Sequence, residues 1–173
     1  KNTNVFGSRT AMELKGFSCT SLEPHEEKRK NCSVSRSFGQ KVTTLEELSE
    51  AITAHCLNAA EKIRLDRQTV KKVTVYIRTS PFQKKNGYYA NSIDIDLPIR
   101  TNDSIILIKQ ALIGLKNIYK KGYRYQKTGI IFSGLKNADT YNKNLFSAIN
   151  NDKKRIKLMQ AIDHTNIKYG RNA

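Results

Sequence analysis

Two aspartates separated by one residue, Asp94 and Asp96, are the acids whose spacing best suits metal chemistry. The alternation of Ile93, Ile95 and Leu97 around them predicts a strand, which would place both carboxylates on one face, about 6.5–7 Å apart. Paired carboxylates can hold the two metal ions of a phosphoryl-transfer site. Such a site needs a third acid nearby, whereas the other strands carry bases. We therefore predict no metal site, and a solvated sheet face or edge, or salt bridges to lysine, for these aspartates.

The sulfur and imidazole groups also form no recognisable site. Cys19, His25, Cys32 and His55 match no common zinc-ligand spacing, and the odd number of cysteines, with Cys56, argues against a secreted disulfide scaffold. Free thiols in a reducing cytoplasm fit better. The sequence has no Gly-rich phosphate loop and no Gly-x-Ser-x-Gly motif, and its three histidines fall on unrelated elements. We predict that the chain itself is catalytically inert.

Charge is abundant and unevenly distributed. The 173 residues include 31 Lys plus Arg against 15 Asp plus Glu, a formal net charge of +16. Residues 67–93 and 104–138 contain no acid, and a further basic group is Lys28, Arg29, Lys30, Arg36 and Lys41. Acids gather at Glu46, Glu47, Glu50, Glu61 and Asp66. This separation favours a positive face that binds a nucleic acid, over a generally lysine-rich surface.

Alternating side chains predict four strands, at residues 32–38, 73–78, 93–97 and 124–132. In the first, Val34, Arg36 and Phe38 share one side and the serines 33, 35 and 37 share the other. Gly39 is predicted to end the first strand and Pro98 the third.

Two helices lie between these strands in the predicted order β-α-β-β-α-β. Thr44 and Glu47 form a capping box for the first helix, residues 45–65. Its predicted apolar stripe is Leu48, Ile52, Cys56, Ala59 and Ile63. The second helix would begin at Asn102 or Asp103 and end at Gly122, with a stripe formed by Ile105, Ile108, Leu112, Leu115 and Tyr119. We expect an α+β fold: a four-stranded antiparallel sheet with both helices on one face and the other face open for binding.

Both ends of the chain differ from this middle region. In residues 1–31 the sequence predicts the end of a helix, which stops at Gly16, followed by a linker. Residues 32–135 are predicted to form the domain. Residues 136–173 predict a polar tether and a short helix at 152–168 with Ile156, Met159 and Ile162 on one side. No apolar run reaches the roughly 18–20 residues of a membrane helix. The start at Lys1, without a signal-like stretch, indicates a piece of a longer protein.

Several segments together carry a family resemblance: CSVSRSFGQKVT, IRTSPF followed by YYANS, and GYRYQKTGI, preceded by RTAMELKGFSC. They resemble the C-terminal region of the UmuC branch of the Y-family translesion DNA polymerases, over essentially the whole chain. The resemblance implies the end of a thumb domain followed by a little finger domain, with sheet order 1-4-2-3 rather than the ferredoxin-like order. It also implies a polymerase of the SOS DNA-damage response, with Mg²⁺ as the parent enzyme's cofactor and none in this fragment.

In that family the little finger lies along the primer–template duplex and grips its phosphates. The matching positions here are Ser35, Arg36, Ser37, Arg78, Thr79, Arg124 and Lys127. Phosphate contacts position a protein without reading sequence. The alternative for Arg36 and Arg124 is an ordinary charge on the sheet surface. Five tyrosines lie among these basic residues: Tyr76, Tyr88, Tyr89, Tyr123 and Tyr125. We expect most of them to fill the sheet edge and the hairpin rather than to stack on nucleobases, because such stacking is characteristic of single-strand binding.

The resemblance also implies protein partners. Asn142, Lys143, Asn144, Leu145 and Phe146 resemble a peptide that binds the beta sliding clamp, with Asn142 and Lys143 departing from the usual Gln and Leu. The alternative is a Leu-Phe pair that folds back onto the domain. The tail, residues 152–171, matches the region expected to bind a UmuD-type dimer, and a RecA filament is a further implied partner. A protein-interaction module with incidental DNA affinity therefore remains an alternative, whereas RNA binding lacks the required aromatic pattern.

Overall fold

The computed structural model describes residues 4–19, 29–82, 87–138 and 149–170. Its elements are α1 (Val5–Leu14), β1 (Asn31–Val42), α2 (Leu45–Leu65), β2 (Gln68–Thr79), β3 (Ala90–Thr101), α3 (Ser104–Ile118), β4 (Tyr125–Ser133), β5 (Lys136–Asn137) and α4 (Ile149–Tyr169). The predicted α+β fold with the order β-α-β-β-α-β is confirmed. One helix at each end and the short strand β5 are added to it.

The main sheet is antiparallel and has the order β1-β4-β2-β3, so β1 and β3 are its edges. This is the order that the resemblance implies, and it differs from the ferredoxin-like order. The short strand β5, which the sequence analysis did not predict, pairs with the start of β2 at Gln68. Helices α2 and α3 cover one face of the sheet, and the core lies between the helices and the sheet. It contains large buried side chains such as Phe132 and Ile130.

Two predicted strand ends are wrong. Strand β1 continues past Gly39 to Val42, and its pairing with β4 changes register between Ser37 and Val42. Strand β3 continues past Pro98 to Thr101, opposite a register shift in β2. A glycine or a proline is tolerated at an irregularity of an edge strand, because the ladder is interrupted there in any case.

Helix α2 forms as its sequence predicts. Thr44 Oγ1 accepts a hydrogen bond from the Glu47 backbone N–H at 3.3 Å, and Glu47 Oε2 accepts from the Thr44 hydroxyl and backbone N–H. These hydrogen bonds hold the pKa of the Glu47 carboxyl below its usual value. All five residues of the predicted stripe are at most 1% exposed. The capping box therefore fixes where the helix begins, and the apolar stripe fixes which side it buries.

The most deeply buried side of helix α3 is rotated from the predicted stripe, although four of the five predicted residues contact the core. Asp103 is its N-cap, with Oδ1 accepting from the backbone N–H groups of Ile105 and Ile106. The buried apolar positions are Leu107, Ala111, Leu115 and Ile118. Of the predicted stripe, Leu115 is buried, Ile108, Leu112 and Tyr119 are half-buried and pack against the core, and Ile105 is exposed. The helix ends at Ile118, and Gly122, with φ +94°, lies in the turn that follows. Apolar residues occur on every side of this helix, so periodicity alone could not select its buried face.

The terminal helices contact the fold differently. Helix α1 buries none of its residues, and its predicted stop is confirmed at Gly16, which has φ +87°. Helix α4 carries Arg155, Met159 and Asp163 one turn apart, and Met159 is 3% exposed. The predicted partners of Met159, Ile156 and Ile162, are 47% and 38% exposed, so they lie beside the docked stripe. Within the described ranges, no helix combines the length and hydrophobicity of a membrane span.

Two ion pairs fix α4 against the ends of the core helices. Arg64 at the end of α2 forms a bidentate pair with Asp163, both nitrogen–oxygen distances being 2.7 Å. Arg64 also donates to Asn102 O and to Ser104 Oγ at the start of α3. Asp103 Oδ2 accepts from Arg155 Nε at 2.5 Å. The tail helix is therefore docked on the domain through side chains of α2 and of the α3 N-terminus.

Candidate nucleic-acid interface

The face of the sheet away from α2 and α3 is organised in four cross-strand rows, each running from β1 through β4 and β2 to β3. We call Ser37, Lys127, Arg78 and Ala90 the basic row, and Ser35, Gly129, Tyr76 and Ser92 the tyrosine row. The acidic rows are Ser33, Ile131, Thr74 and Asp94, and then Asn31, Ser133, Lys72 and Asp96. Because side chains on one face recur every second residue, adjacent rows are about 6.6 Å apart.

The basic row brings together three of the predicted DNA-binding residues. Lys127 of β4 is the cross-strand partner of both Ser37 and Arg78, so two cations and a hydroxyl lie side by side on the open face. Arg78 is exposed and Lys127 is half-buried. Ser35, a fourth predicted residue, lies one row away. Adjacent cations and hydroxyls of this kind suit phosphate oxygens.

The other predicted residues lie elsewhere. Arg36 is paired with Thr128 and therefore lies on the helix-covered side of edge strand β1. There its charge, together with the larger effect of burial, lowers the pKa of His55 in α2. Thr79 is 1% exposed, and its Oγ1 accepts from the Tyr89 backbone N–H at 2.8 Å, so it fixes the β2–β3 connection. Arg124 is exposed in the turn before β4.

The tyrosine row contains a close approach that the sequence analysis missed. A Cβ atom on Gly129 would lie 2.7 Å from Cζ and Oη of Tyr76 and 2.5 Å from Cβ of Ser35. Only a glycine therefore allows the phenol of Tyr76 to lie across β4 at this point. A glycine inside a strand is itself a signal of close approach by another group, and Gly129 in the pattern Lys-Thr-Gly-Ile could have indicated it.

Four tyrosines, Tyr89, Tyr119, Tyr123 and Tyr125, form a cluster at one end of the domain, whereas Tyr88 is 58% exposed. The rings of Tyr89 and Tyr123 lie 4.8 Å apart, and Tyr119 lies 5.9 Å from Tyr125. Tyr125 Oη accepts from the Lys120 N–H and donates to the Lys120 carbonyl, and burial raises the pKa of this phenol. The expectation that most tyrosines fill the sheet edge and hairpin is confirmed for this cluster.

Asp94 and Asp96 lie on the open face, where the sequence placed them, at the end opposite the basic row. Lys72 Nζ lies 3.5 Å from Asp94 and 3.9 Å from Asp96, which confirms the predicted salt bridges to lysine. Thr74 Oγ1 donates to Asp94 Oδ1 at 2.7 Å. Among the described residues, no group of three or more His, Cys, Asp or Glu could hold a metal ion.

The predicted clamp peptide, residues 142–146, lies outside the described residues. The same holds for residue 171 and for the side chains of 152 and 153 in the predicted tail site. The described part of that tail is the docked helix α4. Outside its docked stripe, this helix exposes Leu158, Ile162 and Tyr169, which are 48%, 38% and 63% exposed.

A protein-family model described as the impB/mucB/samB family C-terminal domain matches residues 29–145. The chain belongs to this family. It is 36% identical to the protein ImpB of Salmonella typhimurium over 96% of this chain and 39% of the relative. It is 35% identical to the protein UmuC of the same species over 99% of this chain and 40% of the relative. With MucB of Escherichia coli the identity is 39% over 78% of the chain and 32% of that protein.

These comparisons confirm the resemblance to the UmuC branch that the short motifs indicated. The matched range, 29–145, includes every strand of the sheet together with α2 and α3. The chain spans about two fifths of the length of ImpB and of UmuC. The basic row and the tyrosine row therefore lie within the family domain itself.

Proposed function

We propose that this chain is the DNA-binding little finger of an error-prone translesion DNA polymerase of the Y family, acting in the cytoplasm in the SOS response. The basic row would grip the primer–template duplex by its phosphates. The observation that carries this proposal is the juxtaposition of Lys127 and Arg78, with Ser37 beside them, on the face that the helices leave open.

The chemistry of this row fits a polymerase that must move along any template. Lysine, arginine and serine side chains bind phosphate oxygens, which are the same at every base pair. The exposed Arg124 lies near this end of β4 and adds a further cation. Binding through such groups is independent of sequence and weakens steeply as salt increases.

Catalysis is assigned to the part of the parent protein that precedes this chain. The paired acids Asp94 and Asp96 are engaged by a single lysine, and their strand partners supply no further carboxylate. Mg²⁺ ions of the parent polymerase would be held by residues of the preceding part. The role of the present chain is to bind and orient the duplex.

The proposal is tested by fluorescence anisotropy with a labelled primer–template duplex, titrated between 50 and 200 mM salt (about the range in which counterion release dominates). Replacing Lys127 and Arg78 together by alanine should reduce the slope of log K against log salt by about 2, and equally for unrelated sequences. The matched control replaces the exposed Lys109 and Lys116 of α3, on the opposite face, and should preserve the slope. Absence of duplex binding by the unmodified chain at low salt would overturn the proposal.

A second proposed role is partner docking, and it is compatible with the first. Helix α4 is held on the domain by one side and exposes Leu158, Ile162 and Tyr169 on another, a stripe suited to a protein surface. We assign this stripe to the UmuD-type dimer, and residues 142–146 to the beta sliding clamp through the apolar pair Leu145 and Phe146. A RecA filament is a further proposed partner of the assembled polymerase.

The clamp assignment is tested by binding of the chain to purified beta clamp. Replacement of both Leu145 and Phe146 by alanine should abolish the interaction, because these side chains would fill the hydrophobic pocket on the clamp. Replacement of Asn142 and Lys143, which depart from the usual clamp peptide, should change it little. Clamp binding that survives the Leu145 and Phe146 substitutions would exclude this peptide as the anchor.

A further inference from the structure

The charge on the open face changes along the length of the strands, from the basic row at one end to the acidic rows at the other. The basic row carries two cations, the tyrosine row carries no charge, and the acidic rows carry Asp94, Asp96 and Lys72. Along the part of β3 that faces these rows, the open-face residues are Ala90, Ser92, Asp94 and Asp96, none of which is a cation. Arg100 lies beyond the register shift and donates to the Gly134 carbonyl. A polyanion over these rows therefore meets two cations in the basic row, and two carboxylates against one ammonium in the acidic rows.

Lys72 does not offset this division, because its ammonium is already engaged. It lies 3.5 Å from Asp94 and 3.9 Å from Asp96, and the three side chains are 38%, 56% and 71% exposed. The hydrogen bond from Thr74 holds the pKa of Asp94 below its usual value, with Lys72 acting in the same direction. This carboxylate is therefore ionised at neutral pH and held in one position.

We infer that Asp94 and Asp96 form an electrostatic boundary that confines bound DNA to the basic row and the tyrosine row, and that they do so partly by neutralising Lys72. The inference rests on the proposed function and deepens it. It identifies positioning residues that act by repulsion at a defined end of the surface.

The range of the effect follows from screening. Asp94 is two rows, about 13 Å, from the basic row along the strands, and the Debye length is about 8 Å at physiological salt. The carboxylates therefore have little influence on a phosphate held by Lys127 and Arg78. They repel a phosphate that would extend along the sheet onto the acidic rows, so their removal should lengthen the contact rather than strengthen it uniformly.

The test compares two pairs of substitutions of equal charge change in the 173-residue chain. The first is Asp94→Asn with Asp96→Asn, which keeps the side-chain volume and leaves an Oδ1 acceptor for Thr74. The control is Glu46→Gln with Glu50→Gln, two exposed residues of α2 on the opposite side of the sheet. Duplex affinity is measured by anisotropy as a function of salt.

The aspartate pair should steepen the salt slope by about 0.9 for each additional phosphate, equivalent to an approximately eightfold gain per phosphate at 0.1 M salt relative to 1 M. The glutamate pair should leave the slope unchanged. Lys72→Ala should alter the affinity of the unmodified chain by less than about twofold, since Lys72 is neutralised there, but should remove the gain in the aspartate variant. This coupling distinguishes a boundary from a general increase in positive charge.

The outcomes separate the inference from the proposed function. Equal effects of the aspartate and glutamate pairs, or a gain that persists after Lys72→Ala, would overturn the boundary while duplex binding stands. If the unmodified chain does not bind duplex at any salt concentration, the proposed function fails, and the boundary fails with it.

Discussion

The phenol of Tyr76 lies against the backbone of Gly129, its cross-strand partner on β4. Gly129 is also the partner of Ser35 on β1, so three adjacent strands meet where only a hydrogen is present. The Tyr76 ring therefore covers the backbone of β4 between the basic row and the acidic rows. A side chain in place of the glycine would displace this ring or one of the neighbouring strands.

Gly129→Ala is expected to destabilise the domain by about 1–3 kcal/mol, the range typical of overpacking. The added Cβ would lie 2.5 Å from Cβ of Ser35 and 2.7 Å from the Tyr76 ring, so a strand or the ring must shift. The free energy of unfolding from a denaturant titration measures the effect. Gly39→Ala in β1 is the matched control, because a Cβ there meets nothing within 4 Å. Equal stability of the two variants would contradict the close approach.

Lys127 and Arg36 are expected to differ in their effect on DNA binding, although both are basic residues of adjacent strands. Lys127 lies on the open face and Arg36 on the helix-covered side, opposite Thr128. Lys127→Ala should reduce the salt slope of duplex binding by about 1, while Arg36→Ala should leave it nearly unchanged. A larger loss for Arg36→Ala would place the DNA at the outer edge of β1 instead of over the sheet.

The sequence alone indicated which side chains of β1 face the core, because Val34 and Phe38 alternate with the serines and identify the buried side. Arg36 shares that side, so the alternation already separated it from Ser35 and Ser37. The basic row could not be predicted from such a local alternation. It depends on β4 lying between β1 and β2, a long-range pairing that no local pattern encodes and that only the family resemblance supplied.

Helix α3 shows a second limit of sequence patterns. Its sequence, SIILIKQALIGLKNI, is apolar on several sides, and the tertiary contacts selected the buried one. Gly114 marks that side, since a Cβ there would lie 2.6 Å from Cδ1 of Ile95 on β3. Helix α2, by contrast, has a single apolar stripe with charged residues outside it, and a capping box sets the start of the helix. The prediction for this helix was therefore confirmed residue by residue.

Asp163→Ala is expected to release α4 from the domain. It removes the carboxylate that pairs bidentately with Arg64, whose side chain is only 10% exposed, and loss of one partner from a buried pair costs about 3 kcal/mol or more. Hydrogen exchange should show lost protection in α4 with retained protection in the sheet. Lys157→Ala, an exposed position of the same helix, should retain it. Unchanged exchange in the Asp163 variant would show that Met159 and the Arg155–Asp103 pair are sufficient to hold the helix.

The cysteines should react in sequence with a thiol reagent at mildly alkaline pH. Cys19 is half-exposed, whereas burial raises the pKa of Cys56 to about 12 and also raises that of Cys32. Because the thiolate is the reactive form, one thiol should label promptly and two only on unfolding. Mass spectrometry counts the labels, and Cys19→Ser should abolish the prompt one. Prompt labelling of Cys32 or Cys56 in the native chain would contradict their burial in the core.

His55 should make the domain lose stability as the pH falls below neutrality. Burial, and then the charge of Arg36, lower the pKa of His55 below its ordinary value, and its Nε2 has no hydrogen-bond partner among the described residues. The unfolded chain therefore binds a proton at a higher pH, near about 6.5, than the folded chain does. The stabilising contribution is complete above that pH and is lost as the pH falls through the folded-state pKa.

This pH dependence is measured by denaturant titrations at several pH values from about 7.5 to 5, spanning the ordinary range of histidine. His55→Gln should flatten the decline in the free energy of unfolding, because glutamine does not titrate. His164→Gln, on the exposed side of α4, is the matched control and should keep the decline of the unmodified chain. If both variants show the same decline, protonation of His55 is not its cause. Asp103 would not explain the decline: its burial favours protonation, but hydrogen bonds from Arg155 and from the start of α3 hold its pKa below the usual value. Its contribution to stability is therefore lost only below about pH 4.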